Sequence, residues 1–326
     1  MVNVLKKIPV NNSGQWILVR GKDNNSPLIL QVQAGPGLPM IPEANTMQRL
    51  LKWENNFLVA YWDQRGCGKS FNKHESADNL NFNQLAEDII SCAKFLSKEF
   101  NKDKVILVGY SMGATVCLFA AQKEPHLFSE IFAVGADIDV PAANNSIKEF
   151  IAGEARKQKN KKRAKEALQL PTTEINDAPT FQKRAKLISN AGGLIANKNY
   201  NEILLTTVRN MLFCKQYRLA DIIKAMQGME FCQNALLPEL NTLNLFEKIK
   251  AIDVPVHFIQ GKKDVVVPEK IARQYFNFLK CNTKSYTEFE HSAHMPHLEE
   301  PDKFAEVICR KANESQTIKK FAAYSC

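Results

Sequence analysis

Short apolar runs bounded by turn residues recur through the first 140 positions. Residues 16–20, 27–33, 57–63, 104–110 and 130–136 each read as a strand. Between the third and fourth runs, Phe82, Leu85, Ala86, Ile89, Ile90, Ala93 and Leu96 recur at helical spacing. Residues 114–121 are apolar on every side, which predicts a buried helix. From about Pro141 to Lys250 strand-like runs vanish. There Ser146-Ile-Lys-Glu149 reads as a capping box opening a helix that Pro171 stops. Residues 200–212 carry a second helical stripe, and residues 220–240 add a helix rich in Met and Phe. Alternation then returns: strand 255–260, helix 269–279, strand 284–290 and helix 302–311. This order predicts an α/β fold, a mostly parallel sheet with helices on both faces. Residues 1–140 and 251–326 form its core, and residues 141–250 an inserted helical cap.

Composition agrees with one large α/β domain carrying an insertion. Of 326 residues, 45% are apolar and 24% charged, which excludes a disordered chain. Charge changes the picture more. The net +9 would admit a nucleic-acid or anionic-membrane partner. Residues 141–250 hold 18 Lys and Arg against 10 Asp and Glu, and the rest of the chain is nearly balanced at 25 against 24. The excess belongs to the cap and gathers at Arg156 to Lys165. No aromatic residue interleaves those charges, so a solvated helix face is expected there and nucleic acid is not. The first ten residues hold no apolar stretch long enough for a signal peptide. The longest uncharged run, 105–122, is broken by Gly109, Ser111 and Gly113, so no membrane span is expected. Eight scattered cysteines form no C-x-x-C pair and read as reduced packing residues of a cytoplasmic protein.

The chemistry centres on Gly109-Tyr-Ser111-Met112-Gly113. It follows a strand and precedes an apolar helix, the context a G-x-S-x-G nucleophile elbow requires. Triad order in such a fold is Ser, acid, His. Asp264 follows the strand at 255–260 and is favoured as the acid; Asp137 and Asp139, after the strand at 130–136, are its rivals. Position alone leaves three histidines, His291, His294 and His297, open for the base. The bend Gln33-Ala34-Gly35-Pro36-Gly37 can present a backbone N–H to an oxyanion, paired with that of Met112. Gly66-Cys-Gly68-Lys69-Ser70 looks like the end of a phosphate loop, but position 63 is Asp where that motif needs Gly. No ligand spacing suggests a metal.

With these segments in order, the chain resembles the α/β-hydrolase superfamily, and within it the proline iminopeptidase-type serine hydrolases. Their Asp-Gln-Arg-Gly-x-Gly-x-Ser motif is matched fully by Asp63 to Ser70. Their His-Gly-Gly-Pro-Gly segment is matched in its last three residues by Gly35, Pro36 and Gly37. In that family the catalytic His is followed after five residues by Glu and after seven by Pro. His294, with Glu299 and Pro301, fits. The resemblance implies Ser111, Asp264 and His294 as triad, with Gly35 and Met112 lining the oxyanion hole. Two positions depart from it: Gln33-Ala34 stands where the family has His-Gly, and Met112 where iminopeptidases have Trp. Iminopeptidase specificity also implies cap carboxylates that hold a substrate amine, for which Glu202, Glu230 and Glu239 are the candidates.

The expectation is therefore a cofactor-free serine hydrolase that opens a small ester or amide through an acyl-enzyme. Its partner is a small-molecule or short-peptide substrate. The alternatives are an aminopeptidase releasing N-terminal residues, and a binding protein that uses the basic cap as its surface.

Overall fold

The computed structural model describes residues 1–171 and 175–323. Its elements run β1 (Val2–Val10), β2 (Ser13–Gly21), β3 (Leu28–Val32), α1 (Ala44–Leu51), β4 (Leu58–Asp63), α2 (Phe82–Phe100), β5 (Val105–Tyr110), α3 (Met112–Lys123) and β6 (Phe128–Val134). Six helices follow without a strand: α4 (Val140–Lys157), α5 (Lys161–Leu168), α6 (Ala178–Asn190), α7 (Tyr200–Leu212), α8 (Leu219–Leu240) and α9 (Leu245–Lys248). The chain closes with β7 (Val256–Gly261), α10 (Glu269–Phe278), β8 (Lys284–Phe289), α11 (Pro296–Glu299) and α12 (Pro301–Ala323).

The eight strands form one sheet in the order β1-β2-β4-β3-β5-β6-β7-β8. β1 pairs antiparallel with β2, and β2 with β4; every other pair is parallel. This is the α/β-hydrolase arrangement. The central strands are buried on both faces, which is why they read as unbroken apolar runs. One face packs α2, α3 and α10 through Leu85, Val116 and Tyr275. The other packs α1 and α12 through Met47, Phe304 and Ile308. The inserted helices keep a small core of their own, with Ile147, Ile151, Ala167, Leu187 and Ile188.

Some elements escape the hydrophobic pattern. β1 is an edge strand that buries only Ile8 and Val10, so it shows almost no alternation. The capping box at Ser146 does not open a helix. α4 begins six residues earlier, where Asp139 Oδ1 accepts the Ala142 N–H at 3.0 Å and Pro141 occupies the first turn. Ser146 is mid-helix and donates to the Ala142 carbonyl at 3.3 Å. Nor does that helix reach Pro171: it stops at Lys157, and α5 follows. Phe213 and Met226 are exposed, as are Leu205, Leu212, Leu219 and Ile223.

The motif from Asp63 to Ser70 joins core to cap. Asp63 is fully buried at the end of β4. It accepts the backbone N–H groups of Met40, Ile41 and Lys69 at 2.9–3.0 Å, and the hydroxyl of Tyr217 from the cap. Lys69 pairs with Asp221 of α8 at 2.6 Å, and Arg65 binds Asp88 through two N–H groups at 2.7 and 3.0 Å. Asp63→Ala strands the Met40, Ile41 and Tyr217 donors and leaves the Lys69 N–H only the Tyr217 hydroxyl at 3.3 Å, so an unfolding free energy lower by about 2–4 kcal/mol is expected. Urea unfolding followed by circular dichroism measures it. A loss below about 1 kcal/mol would mean that water takes those donors over.

Candidate active site

The turn from β5 into α3 carries Ser111 at φ 52°, ψ −126°, a backbone region that non-glycine residues rarely occupy. Packing enforces it. A side chain on Gly113 would begin 2.2 Å from the Gln33 carbonyl oxygen, and one on Gly109 would begin 2.5 Å from the Ala114 Cα. The Ser111 N–H is tied to the Val134 carbonyl at 2.8 Å. Met112 is the first residue of α3, where backbone N–H groups have no partner within the helix and the helix dipole presents its positive end. Gly35 lies directly against it: a side chain on residue 35 would start 2.6 Å from Met112 Cε. The bend at Gly35 and the elbow at Met112 are thus brought together.

Asp264 and His294 also meet. His294 Nδ1 lies 2.8 Å from Asp264 Oδ2, and both residues are buried. Asp264 is held by the Val267 N–H on Oδ1 at 2.9 Å and by Gln260 Nε2 on Oδ2 at 2.8 Å. The histidine loop is held by Glu299, whose two oxygens accept the Ala293 N–H at 2.9 Å and the Ala196 N–H of the cap at 2.8 Å. The His294 N–H reaches the Leu194 carbonyl at 3.1 Å. Gly135, at φ 53°, floors the pair: a side chain there would start 3.0 Å from the imidazole. Burial pulls the His294 pKa down, but the charge and hydrogen bond of Asp264, with Asp137 adding, leave it above the ordinary histidine value.

The competing residues make other contacts. His291 is exposed. His297 is buried against Tyr110 and Phe304, and burial drives its pKa down to about 3, so it stays neutral. Asp139 caps α4. Asp137 is in the site but is not the partner of the imidazole. It lies beside the Ser111 hydroxyl rather than on His294 Nδ1, and burial pushes its pKa up to about 6 against the opposing pull of His294, Arg184 and Ser111. Arg184, from α6, faces it and donates to Asn144 at 2.7 Å. Sequence reasoning named neither Gln260 nor Arg184. The signal for Gln260 was a polar residue near the end of a buried strand.

The cap carboxylates do not converge on Ser111. Glu202 closes the capping box of α7, Glu230 is exposed, and Glu239 accepts the Phe82 N–H of α2 at 2.8 Å. The basic stretch lies on α5 and the end of α4. With α6 it lines a cleft of about 470 Å³ whose walls include Lys162, Arg163, Lys183, Lys186 and Glu166. That cleft shares no residue with the Ser111 cluster. Among the described residues there is no group of His, Cys, Asp or Glu suited to a metal ion, and no helix long and apolar enough to cross a membrane. The described cysteines are free; Cys326 lies outside the described residues.

Comparison with known proteins now carries weight. The family model for serine aminopeptidases, S33, matches residues 44–302, a span that takes in the elbow, Asp264 and His294. The chain belongs to the S33 serine aminopeptidase family. A probable aminopeptidase, YbaC, of Bacillus subtilis is 30% identical over 317 residues, covering 95% of this chain and 96% of that protein. Among solved structures, a proline iminopeptidase of Mycobacterium smegmatis superposes with a TM-score of 0.70 at 15% identity, over 97% of this chain and all of that one. An esterase of Exiguobacterium antarcticum gives a TM-score of 0.60 at 18% identity, over 92% and 96% of the two chains. As an S33 family member the protein is an α/β serine hydrolase of the carboxylesterase or aminopeptidase type.

Proposed function

We propose that this protein cleaves a small ester or amide through an acyl-enzyme formed on Ser111. With Nδ1–H donated to Asp264, His294 has Nε2 free to take the Ser111 proton as the oxygen attacks the carbonyl carbon. The tetrahedral oxyanion is received by the N–H groups of Gly35 and Met112. His294 then passes its proton to the leaving group, the acyl-enzyme forms, and water repeats the sequence with the same base. The observation that carries this reading is the 2.8 Å contact between His294 and Asp264, together with a serine held in a strained elbow. Nucleophile partitioning tests it. Esters with one acyl group and different leaving groups should give the same ratio of acid to methyl ester in added methanol. A ratio that follows the leaving group would exclude a common acyl-enzyme.

The same reading predicts a pH dependence. His294 must be neutral to accept the proton, so kcat/KM falls as pH drops through its pKa. Because that pKa is raised, the acid limb is expected above the ordinary histidine value of about 6.5. A limb below it in the pH profile of kcat/KM would contradict the electrostatics described.

The aminopeptidase reading has support of its own in the aminopeptidase of Bacillus subtilis at 30% identity over almost the whole chain. Proline- and alanine-naphthylamides assayed beside p-nitrophenyl esters test it; ester turnover with no amide turnover would rule it out.

A further inference from the structure

We propose that the cleft between α5 and α6 is a binding site for a compact soluble polyanion, a molecule carrying a diphosphate-type group. It shares no residue with the Ser111 cluster, so the inference stands apart from the acyl-enzyme reading. Three observations carry it. First, two helices bring cations into one cavity. Lys183, Lys186 and Leu187 recur at i, i+3 and i+4 of α6 and so share one face. Lys162, Arg163 and Glu166 of α5 line the same cleft. Ala167 of α5 shares the cap's own core with Leu187 and Ile188 of α6, which fixes the two walls. The volume of about 470 Å³ falls within the range of small-ligand pockets, roughly 300–1,000 Å³.

Second, Arg163 holds an unmet donor. Its backbone N–H is taken by Asn160 Oδ1 at 3.0 Å, and its Nη1 by Gln158 Oε1 at 3.2 Å. Its Nη2 is buried and meets no acceptor among the described residues. A buried charged donor without an acceptor is destabilising, and the planar guanidinium fork suits a phosphate oxygen. Third, the charges are unbalanced. Four cations face one carboxylate, Glu166, which leaves three positive charges. Among the described residues none of the four cations is in an ion pair, whereas Lys157 at the end of α4 takes Glu154 at 2.7 Å. One phosphate carries about 1.5 to 2 negative charges at neutral pH, so two linked phosphates match the cleft where one does not. The cations line a cavity and no aromatic residue lies among them, which favours a small molecule over a membrane surface or a nucleic acid.

Equilibrium dialysis of the full chain against radiolabelled pyrophosphate tests this, at about 0.1 M salt, where exposed charges are screened over about 10 Å. Wild type is expected to bind one pyrophosphate per chain, and to release it to unlabelled pyrophosphate at lower concentration than to inorganic phosphate. Arg163→Gln is expected to weaken binding by about 10- to 100-fold, the worth of a charge-assisted hydrogen bond to a buried group. The pair Lys183→Gln and Lys186→Gln, both at exposed positions, is expected to act in the same direction and decides the matter if Arg163→Gln does not fold. Lys98→Gln with Lys270→Gln removes the same charge from exposed positions on α2 and α10 and is expected to change binding less than about twofold. Ser111→Ala is expected to bind as wild type does. No binding by wild type, equal weakening by the cleft pair and the core pair, or binding to phosphatidylglycerol vesicles that pyrophosphate does not displace would overturn the assignment.

Discussion

Ser111→Ala is expected to lower kcat/KM by about 10,000-fold or more, and His294→Ala by a similar factor. Without the serine oxygen there is no nucleophile to acylate. Without the imidazole, the hydroxyl keeps its proton at neutral pH. The two groups act as a unit, so the double variant should be hardly worse than either single one. A residual rate above the water reaction is expected in all three, because the proposed oxyanion donors, the N–H groups of Gly35 and Met112, are left in place for attack by water. Both side chains are almost fully buried; Ser111→Ala removes a single oxygen, and circular dichroism of both variants checks that they fold. Steady-state turnover of a p-nitrophenyl ester measures the effect. A Ser111→Ala protein that kept more than about 1% of wild-type kcat/KM would point to a different nucleophile.

Asp264→Asn is the second large effect, at about 10,000-fold, the scale seen where the same change is made in a Ser-His-Asp protease. The physical reason here is local. Both Asp264 oxygens face donors: the Val267 N–H on one, Gln260 Nε2 and the His294 ring on the other. An asparagine must turn an N–H₂ group toward one of them. If it faces His294, the ring gives up its Nδ1 proton and holds one on Nε2, the nitrogen that must accept from Ser111. The negative charge that raises the His294 pKa disappears as well. The residual activity should therefore show its acid limb at lower pH than wild type. A pH profile of kcat/KM for the variant checks both effects together. An unshifted limb with near-normal rate would mean that Asp264 does not orient the base.

Much of this was legible along the chain because the signals are local. The elbow needs only a strand, two glycines and a helix within a few residues of Ser111. Position alone left three histidines open; only the family resemblance, through Glu299 and Pro301, singled out His294, and the structure gives the physical content of that spacing. Glu299 holds the N–H groups of Ala293 and Ala196, and so positions the loop on which His294 sits. Asp137 was visible only as a rival acid. Its place beside Ser111 depends on the register of β5 against β6, which no local pattern encodes. β1 was missed because an edge strand with two buried residues has little periodicity to read. The start of α4 was misread because Asp139 and Pro141 compete with Ser146 as start signals, and the earlier pair prevails. The charge excess, read first as a property of the whole molecule, falls within residues 141–250 and borders a cleft that shares no residue with the Ser111 cluster.

The most direct test of the central claim is intact-mass and peptide mapping after reaction with a fluorophosphonate. The account predicts one adduct per chain, on Ser111, formed at a rate that falls below the His294 pKa and absent from Ser111→Ala. Equal labelling of wild type and Ser111→Ala, or an adduct on another residue, would contradict it.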